Sequence, residues 1–377
     1  MSSLRIFMIA TGADTSGGGE KHMLDLSAGL IERGHRVMVM APGGGDVLDA
    51  AAQLGCDTHE VASFGMFSRV ASRDLARLRK TWHPDIVHAH GPRAAYVVRR
   101  GDTASIPRLV YTIHGIHAGH GPLGAIKLAV ERADVNKVAA YITTCKADLD
   151  QGARLGILNP HQTTVIYNGV PNPRFVPPGR FRDQLGIPST RPLVLHVGRI
   201  TPPKDHATLL AAFDKAWSAA PAGEHKPFLT LVTAGSERAR RTLQRTINAL
   251  RSAGDIALLT SCADLAPLYT DADMFVLSSL WEARPYVLVE AMQYGCPVVS
   301  TDVGGVSEAV EDGVTGFLTP PADAHALADA MAKLLDDDEL RMRMGRAAQQ
   351  SMVDRFTLDE MVEQTLAVYH GVRRALL

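Results

Sequence analysis

Two glutamates, Glu282 and Glu290, stand with seven residues between them, and two cations, Arg199 and Lys204, stand five apart earlier in the chain. An ionised carboxylate accepts hydroxyl hydrogen bonds on both oxygens, and such charge-assisted bonds are the strong ones. Paired acids therefore suit a polyhydroxylated ligand, such as a ribose and a hexose joined through a diphosphate. The cations suit the diphosphate. At an open surface they would contribute almost nothing, whereas against phosphate each would contribute roughly 1.5–3 kcal/mol. Arginine forks two oxygens; lysine supplies a mobile point charge. A third element is the run Gly17-Gly18-Gly19. Amides at a helix N-terminus, which carries about half a positive charge, attract phosphate. Each group also has a bland counterpart: solvated acids, a surface cation pair, a flexible turn.

These residues need elements to hold them. Met274 to Leu277 reads as a short buried strand, Pro285 opens a helix that Gly295 closes, and a second strand, Pro297 to Ser300, follows at once. That order is a βαβ unit, and in open parallel sheets ligands sit beyond the carboxyl ends of the strands. Glu282 falls in the loop and Glu290 in the helix. Arg199 and Lys204 follow a strand, Leu193 to Val197, and precede a helix through Trp217.

The chain opens on a strand from Leu4 to Ala10, the glycine loop, a helix from about Glu20 to Arg33 and a strand from Arg36 to Ala41. This invites a dinucleotide-fold reading. Two departures argue against nicotinamide: the second strand ends Ala41-Pro42-Gly43 with no acid for the ribose, and the glycines are contiguous rather than spaced. Strands at Asp57 to Val61, Asp85 to His88, Arg108 to Ile113 and Ala140 to Thr144 alternate with helices near Arg73 to Trp82 and Leu123 to Val138, as in a doubly wound parallel sheet. Histidines gather at the strand ends: His88 and His90, then His114 and His117, with His120 beyond. No acid accompanies them at ligand spacing, so no metal site is expected and hydrogen-bonding roles are favoured. His90 and His117 are candidates for an acceptor pocket. Four prolines between Pro171 and Pro178 can continue neither a helix nor a central strand, and the domain junction is placed there.

With 377 residues and 46% hydrophobic composition the chain can bury a sizeable core, and its length favours two domains. A net charge of −1 gives no global field to recruit nucleic acid or an anionic bilayer. Any membrane contact must come from a local patch. The helix from Leu123 to Val138 carries Lys127, Arg132 and Lys137, but Glu131 and Asp134 share that face, so an ordinary amphipathic helix is the simpler reading. Four scattered cysteines with no Cys-x-x-Cys pair fit a reducing cytoplasm, and no signal h-region or spanning run is evident.

The stretch from Glu282 through Glu290 to Glu308, reading Glu-Ala-Arg-Pro-Tyr-Val-Leu-Val-Glu-Ala-Met-Gln-Tyr-Gly-Cys-Pro-Val-Val-Ser-Thr-Asp-Val-Gly-Gly-Val-Ser-Glu, closely resembles the donor-site signature of the retaining glycosyltransferase family 4. Gly17-Gly18-Gly19-Glu20 matches that family's phosphate-covering loop, Gly198-Arg199 with Lys204 its phosphate clamp, and His114-Gly115 its first-domain histidine. Asn168-Gly169-Val170, Asp312 to Leu318 and Pro320 to Asp323 are similar too, so the likeness covers nearly the whole chain.

The resemblance implies a GT-B fold: two Rossmann-like doubly wound α/β domains facing across a cleft. They would be an acceptor domain at 1–175, a nucleotide-sugar domain at 176–356 and a final helix, 357–377, crossing back. It implies retaining, metal-independent transfer of a hexosyl group from a UDP- or GDP-sugar to an acceptor hydroxyl, with no cofactor. Glu290 would hold the ribose, Glu282 the hexose hydroxyls, and His114 would face the hexose. Arg199, Lys204, Gly17 to Gly19 and the amides after Pro285, at Tyr286 and Val287, would meet the diphosphate. The loop containing Ser261 to Leu265 would lie against the base. The expected acceptor is a saccharide or lipid-linked saccharide of bacterial surface polysaccharide, reached by peripheral contact with the cytoplasmic membrane face. A sugar-nucleotide epimerase and a non-catalytic sugar-nucleotide-binding protein are the alternatives. The chain departs from the family at Ala283-Arg284, where glycine and an apolar or aromatic residue are usual; Arg284 could meet an anionic group on donor or acceptor, such as a uronic acid, but is expected at the exposed rim in a salt bridge.

Overall fold

The structure, a computed structural model, describes residues 3–62, 69–100, 108–116, 122–223, 226–260, 262, 264–353 and 355–375. The chain divides into two compact units, Met1–Gly169 with Phe356–Leu377, and Val170–Arg355.

In the first unit, strands β1 (Arg5–Ile9), β2 (Arg36–Pro42), β3 (Asp57–Val61), β4 (Ile86–His90), β5 (Leu109–Ile113), β6 (Ala140–Thr143) and β7 (Thr163–Val165) alternate with helices. These are α1 (Gly18–Glu32), α2 (Val47–Gln53), α3 (Arg69–Trp82), α4 (Pro92–Arg100), α5 (Pro122–Ala133) and α6 (Lys146–Leu155). The sheet order is β3-β2-β1-β4-β5-β6-β7, and each registered pairing is parallel. Period-2 alternation explains why β1 is buried throughout. Ile6 and Met8 enter one core with α1, while Phe7 and Ile9 enter the core on the other face with Trp82 of α3. Helices α2, α4 and α6 lie where no helix is expected from the sequence. The helix expected to reach Val138 stops at Ala133, followed by a single 3₁₀ turn at Val135–Lys137.

The second unit holds α7 (Arg180–Leu185), β8 (Leu193–Val197), α8 (His206–Ala219), β9 (Phe228–Val232), α9 (Glu237–Asn248), β10 (Ile256–Leu259) and α10 (Ala266–Asp271). It continues with β11 (Met274–Leu277), α11 (Tyr286–Gln293), β12 (Val298–Thr301), β13 (Gly316–Thr319), α12 (Ala324–Leu335) and α13 (Asp338–Met352). Its sheet, β10-β9-β8-β11-β12-β13, is again all parallel, and its order reverses between β8 and β11. That reversal is the topological switch point at which doubly wound sheets bind ligands. In the first unit the matching point lies between β1 and β4.

The last helix, α14 (Leu358–Arg374), belongs to the first unit, where Met361, Val362, Leu366, Tyr369 and Val372 join the α1 core. Each apolar side chain fully buried this way contributes roughly 1.5–3 kcal/mol. The helices meet closely at Gly29 of α1: a Cβ there would stand 2.5 Å from Val362 Cγ2. Thr357 caps α14 by accepting from the Glu360 amide at 3.2 Å.

Candidate functional site

In the second unit the predicted residues collect at the switch point. β8 ends at Val197, and its loop passes through Arg199 to a 3₁₀ turn, Pro202–Lys204, stiffened by two prolines. β11 ends at Leu277 and leads into the loop carrying Glu282. The two loops are stitched together. Ser278 Oγ donates to the carbonyls of Lys204 and Asp205, both at 2.9 Å, and the Leu280 amide donates to the Pro203 carbonyl at 2.8 Å. Asp205 adopts φ 42° and caps α8.

Within this frame the Lys204 ammonium is ion-paired to Glu282 Oε1, and Ser279 Oγ donates to the same oxygen at 2.7 Å. Glu282 is only 8% exposed. Among the described residues both hydrogen bonds to this carboxylate fall on Oε1, which leaves Oε2 with acceptor capacity for a ligand hydroxyl. The Glu282 loop rests on Gly304, whose φ is 56° and whose Cβ, if present, would stand 1.7 Å from the Glu282 carbonyl oxygen. Only glycine fits there.

Glu290 lies on α11 and is held separately: Tyr269 OH of α10 donates to its Oε2 at 2.9 Å. Burial, reinforced by the Glu290 charge, raises the Tyr269 phenol well above its ordinary range and keeps it a donor. Pro285 is the N-cap of α11 rather than its first residue, so the Tyr286 and Val287 amides fall in the first turn, where helices lack internal acceptors. Arg199 is exposed. Arg284, expected at the rim, is 3% exposed; its stem and guanidinium are enclosed, so the exposed position is corrected. Of the expected base-contacting loop, Ser261 and Ala263 lie outside the described residues.

The first unit assembles a different kind of site at its own switch point. Gly17 caps α1, Gly18 and Gly19 begin it, and Glu20 reaches back to accept from the Gly12 amide at 3.0 Å, which fixes the glycine loop. β4 runs on to His90, so His88 lies within the strand and His90 closes it. His88 bridges Tyr369 OH through Nδ1 and Thr112 Oγ1 through Nε2, each at 2.6 Å. His90 Nδ1 lies 3.1 Å from His114 Nε2, their rings stacked with centroids 5.4 Å apart. His22 of α1 sits edge-on to His114 at 4.8 Å, and its Nδ1 lies 3.1 Å from Asn168 Oδ1. Gly19 leaves room for this approach, since a Cβ there would meet His114 Cδ2 at 3.2 Å. His117 and His120 lie outside the described residues.

Burial keeps these imidazoles neutral. It lowers His22 to about 4 and His88 to about 3, and with neighbouring rings it holds His90 and His114 well below the ordinary histidine value. In the second unit His196 is lowered to about 3 and His206 to about 4 for the same reason.

His22, Tyr369, Tyr269 and Ser279 were not singled out in the sequence, and Asn168 was noted only within Asn168-Gly169-Val170. Ser279 carries a usable local signal, a hydroxyl three residues before an acid. The others reach their partners only through the fold.

The comparisons with known proteins agree with this architecture. The model for glycosyltransferase family 4 matches residues 16–172, and that for glycosyl transferases group 1 matches 179–351. Glycogen synthase of Mycobacterium tuberculosis is 29% identical over 95% of this chain and 92% of its own length. D-inositol 3-phosphate glycosyltransferase of Corynebacterium diphtheriae is 27% identical over 98% and 95%. Among solved structures, the HepE protein of Anabaena, in complex with UDP and glucose, superposes with a TM-score of 0.83 at 24% identity, covering 98% of this chain and 100% of that one. With both halves of the chain matched in order and each folded as a Rossmann-like unit, the protein belongs to the family 4 glycosyltransferases of GT-B fold.

Proposed function

We propose that the protein transfers a hexosyl group, with retention of anomeric configuration, from a UDP- or GDP-sugar to an acceptor hydroxyl. The observation that carries this is the Lys204–Glu282 pair at the β8/β11 switch point, with Oε2 of the acid available. Lysine has three donors, so Lys204 can orient Glu282 and still meet a phosphate oxygen. As the glycosidic bond breaks, negative charge grows on the departing diphosphate. In this reading Arg199, Lys204 and the first amides of α11 meet that charge, and such donors stabilise it most strongly when they need not reorganise. Glu282 accepts hexose hydroxyls and shares in stabilising the oxocarbenium character of the sugar. Glu290, steadied by Tyr269, accepts from the ribose. The first unit, taken alone, offers neutral groups: α1 amides suited to phosphate oxygens, and imidazoles suited to sugar hydroxyls. The HepE protein's complex with UDP and glucose supports a uridine nucleotide donor.

The acceptor we propose is a saccharide, in its lipid-linked form a precursor of bacterial surface polysaccharide, reached by peripheral contact with the cytoplasmic membrane face. The α5 surface supports such contact more than its sequence suggested. Asp134 is buried and Glu131 turns inward to the buried Arg99 at 2.8 Å, leaving Ile126, Lys127 and Arg132 exposed. Among the described residues no helix is long and apolar enough to cross a membrane.

The test is donor turnover with UDP-, GDP- and ADP-sugars, reading nucleotide release and the anomeric configuration of the product by NMR. Release from one donor class with retained configuration is expected. Inversion would remove the retaining mechanism, and no uptake or turnover of any donor would remove the function.

A further inference from the structure

The histidines of the first unit converge in a way that sugar binding alone does not require. His22 from α1, His90 from β4 and His114 at the end of β5 each offer one nitrogen, and these three nitrogens lie within 4.8 Å of one another. We propose that His22, His90 and His114 form a binding site for a transition-metal ion, of which Zn²⁺ is the representative, and that a bound ion withdraws His114 from any other task.

Three imidazoles with an open further position are an established donor set for zinc. A ligating histidine is commonly oriented by an oxygen acceptor on its other ring nitrogen, and His22 has this arrangement. The amide oxygen of Asn168 faces Nδ1 and can only accept, so Nδ1 carries the hydrogen and Nε2 keeps its lone pair. His90 adds to this arrangement. It is 4% exposed, and its Nδ1 faces His114 Nε2 at 3.1 Å, close enough for the two rings to share one ion. Entry is from the side of His114, the partly exposed member of the three. The fourth position would be left to water or a ligand oxygen. Among the described residues no acid joins the cluster, which favours an imidazole-seeking metal over Mg²⁺ or Ca²⁺.

Co²⁺ and Zn²⁺ alone, titrated into the full chain, provide the test. One equivalent of Co²⁺ should give the visible absorption of a low-coordinate nitrogen site, discharged by Zn²⁺, with calorimetry giving the same stoichiometry. His22→Gln should weaken Zn²⁺ binding at least tenfold, and Asn168→Ala, which keeps all three rings, by about 10–100-fold. Circular dichroism checks that each variant folds, so that either one suffices if the other does not. No stoichiometric binding, or binding unaltered in the folded variants, overturns the site. The binding measurement is independent of the proposed transferase activity; a second measurement rests on it. Zn²⁺ should lower wild-type turnover, EDTA should restore it, and His22→Gln should blunt the inhibition. Binding with undiminished turnover would uphold the site and remove His114 from sugar transfer.

Discussion

The two units share the strand order in which the third, second, first and fourth strands lie side by side, yet they fill the same topological position with opposite chemistry. In the second unit the β8/β11 switch point carries a part-buried ion pair, Lys204 with Glu282, and a second acid, Glu290, held by a phenol. In the first, the β1/β4 switch point carries imidazoles made neutral by burial. Topology decides where a ligand can sit; residue type and burial decide what the place can hold. A charged site suits a diphosphate and its sugars, where charge changes during reaction. A neutral one suits hydroxyl contacts that do not change charge.

That contrast can be broken or sharpened by measurement. Lys204→Ala and Glu282→Gln should each lower kcat by about 100–1,000-fold, the cost of losing a preorganised electrostatic contact, with circular dichroism unchanged. Activity within a few-fold of wild type would show that the ion pair is structural. Glu290→Ala should raise the donor KM by roughly 10–100-fold, the loss of a charge-assisted bond; unchanged kinetics would remove the ribose role.

Acid should distinguish the units by stability. Unfolded imidazoles gain a proton near the reference value of 6.5, whereas folded His22 stays neutral to about 4 and folded His88 to about 3. Between those values the unfolded state binds more protons, so stability is full above 6.5 and is lost as pH falls, by up to about 1.4 kcal/mol per pH unit for each buried histidine. With His22, His88, His90 and His114 in one unit against His196 and His206 in the other, hydrogen exchange at pH 7.5 and pH 5 should show the first unit losing more protection. Equal losses would count against the neutral cluster. The smallest effects belong to side chains that carry no charge themselves. Tyr269→Phe should raise donor KM and His114→Ala should lower kcat/KM by about 2–10-fold each. A His114→Ala loss as large as that of Lys204→Ala would abolish the distinction drawn between the two sites.

Much of the scaffold was legible because its signals are local. Buried parallel strands are short apolar runs, and Met274–Leu277 and Leu193–Val197 stand at the positions expected. Pro285 and Gly295 bracket α11 because one presets φ and the other accepts a left-handed turn, here φ 75°. Helices α2 and α6 escaped because their burial is narrow: only Val47 and Ala51 of α2, and Asp148 and Gly152 of α6, are buried, which leaves little periodic signal. Arg284 was misplaced because composition predicts exposure for arginine, whereas this one is enclosed.

The sequence by itself determined the alternation of strands and helices, the family, and which residues carry charge beside the strand ends, since these depend on neighbours in the chain. Only the tertiary structure decided that Lys204 spends one donor on Glu282, that Tyr269 holds Glu290, and that His22 completes a histidine cluster with His90 and His114. Those pairings join residues far apart in sequence. Their geometry is set by the stacking of parallel strands and the helices covering them, which no local pattern encodes.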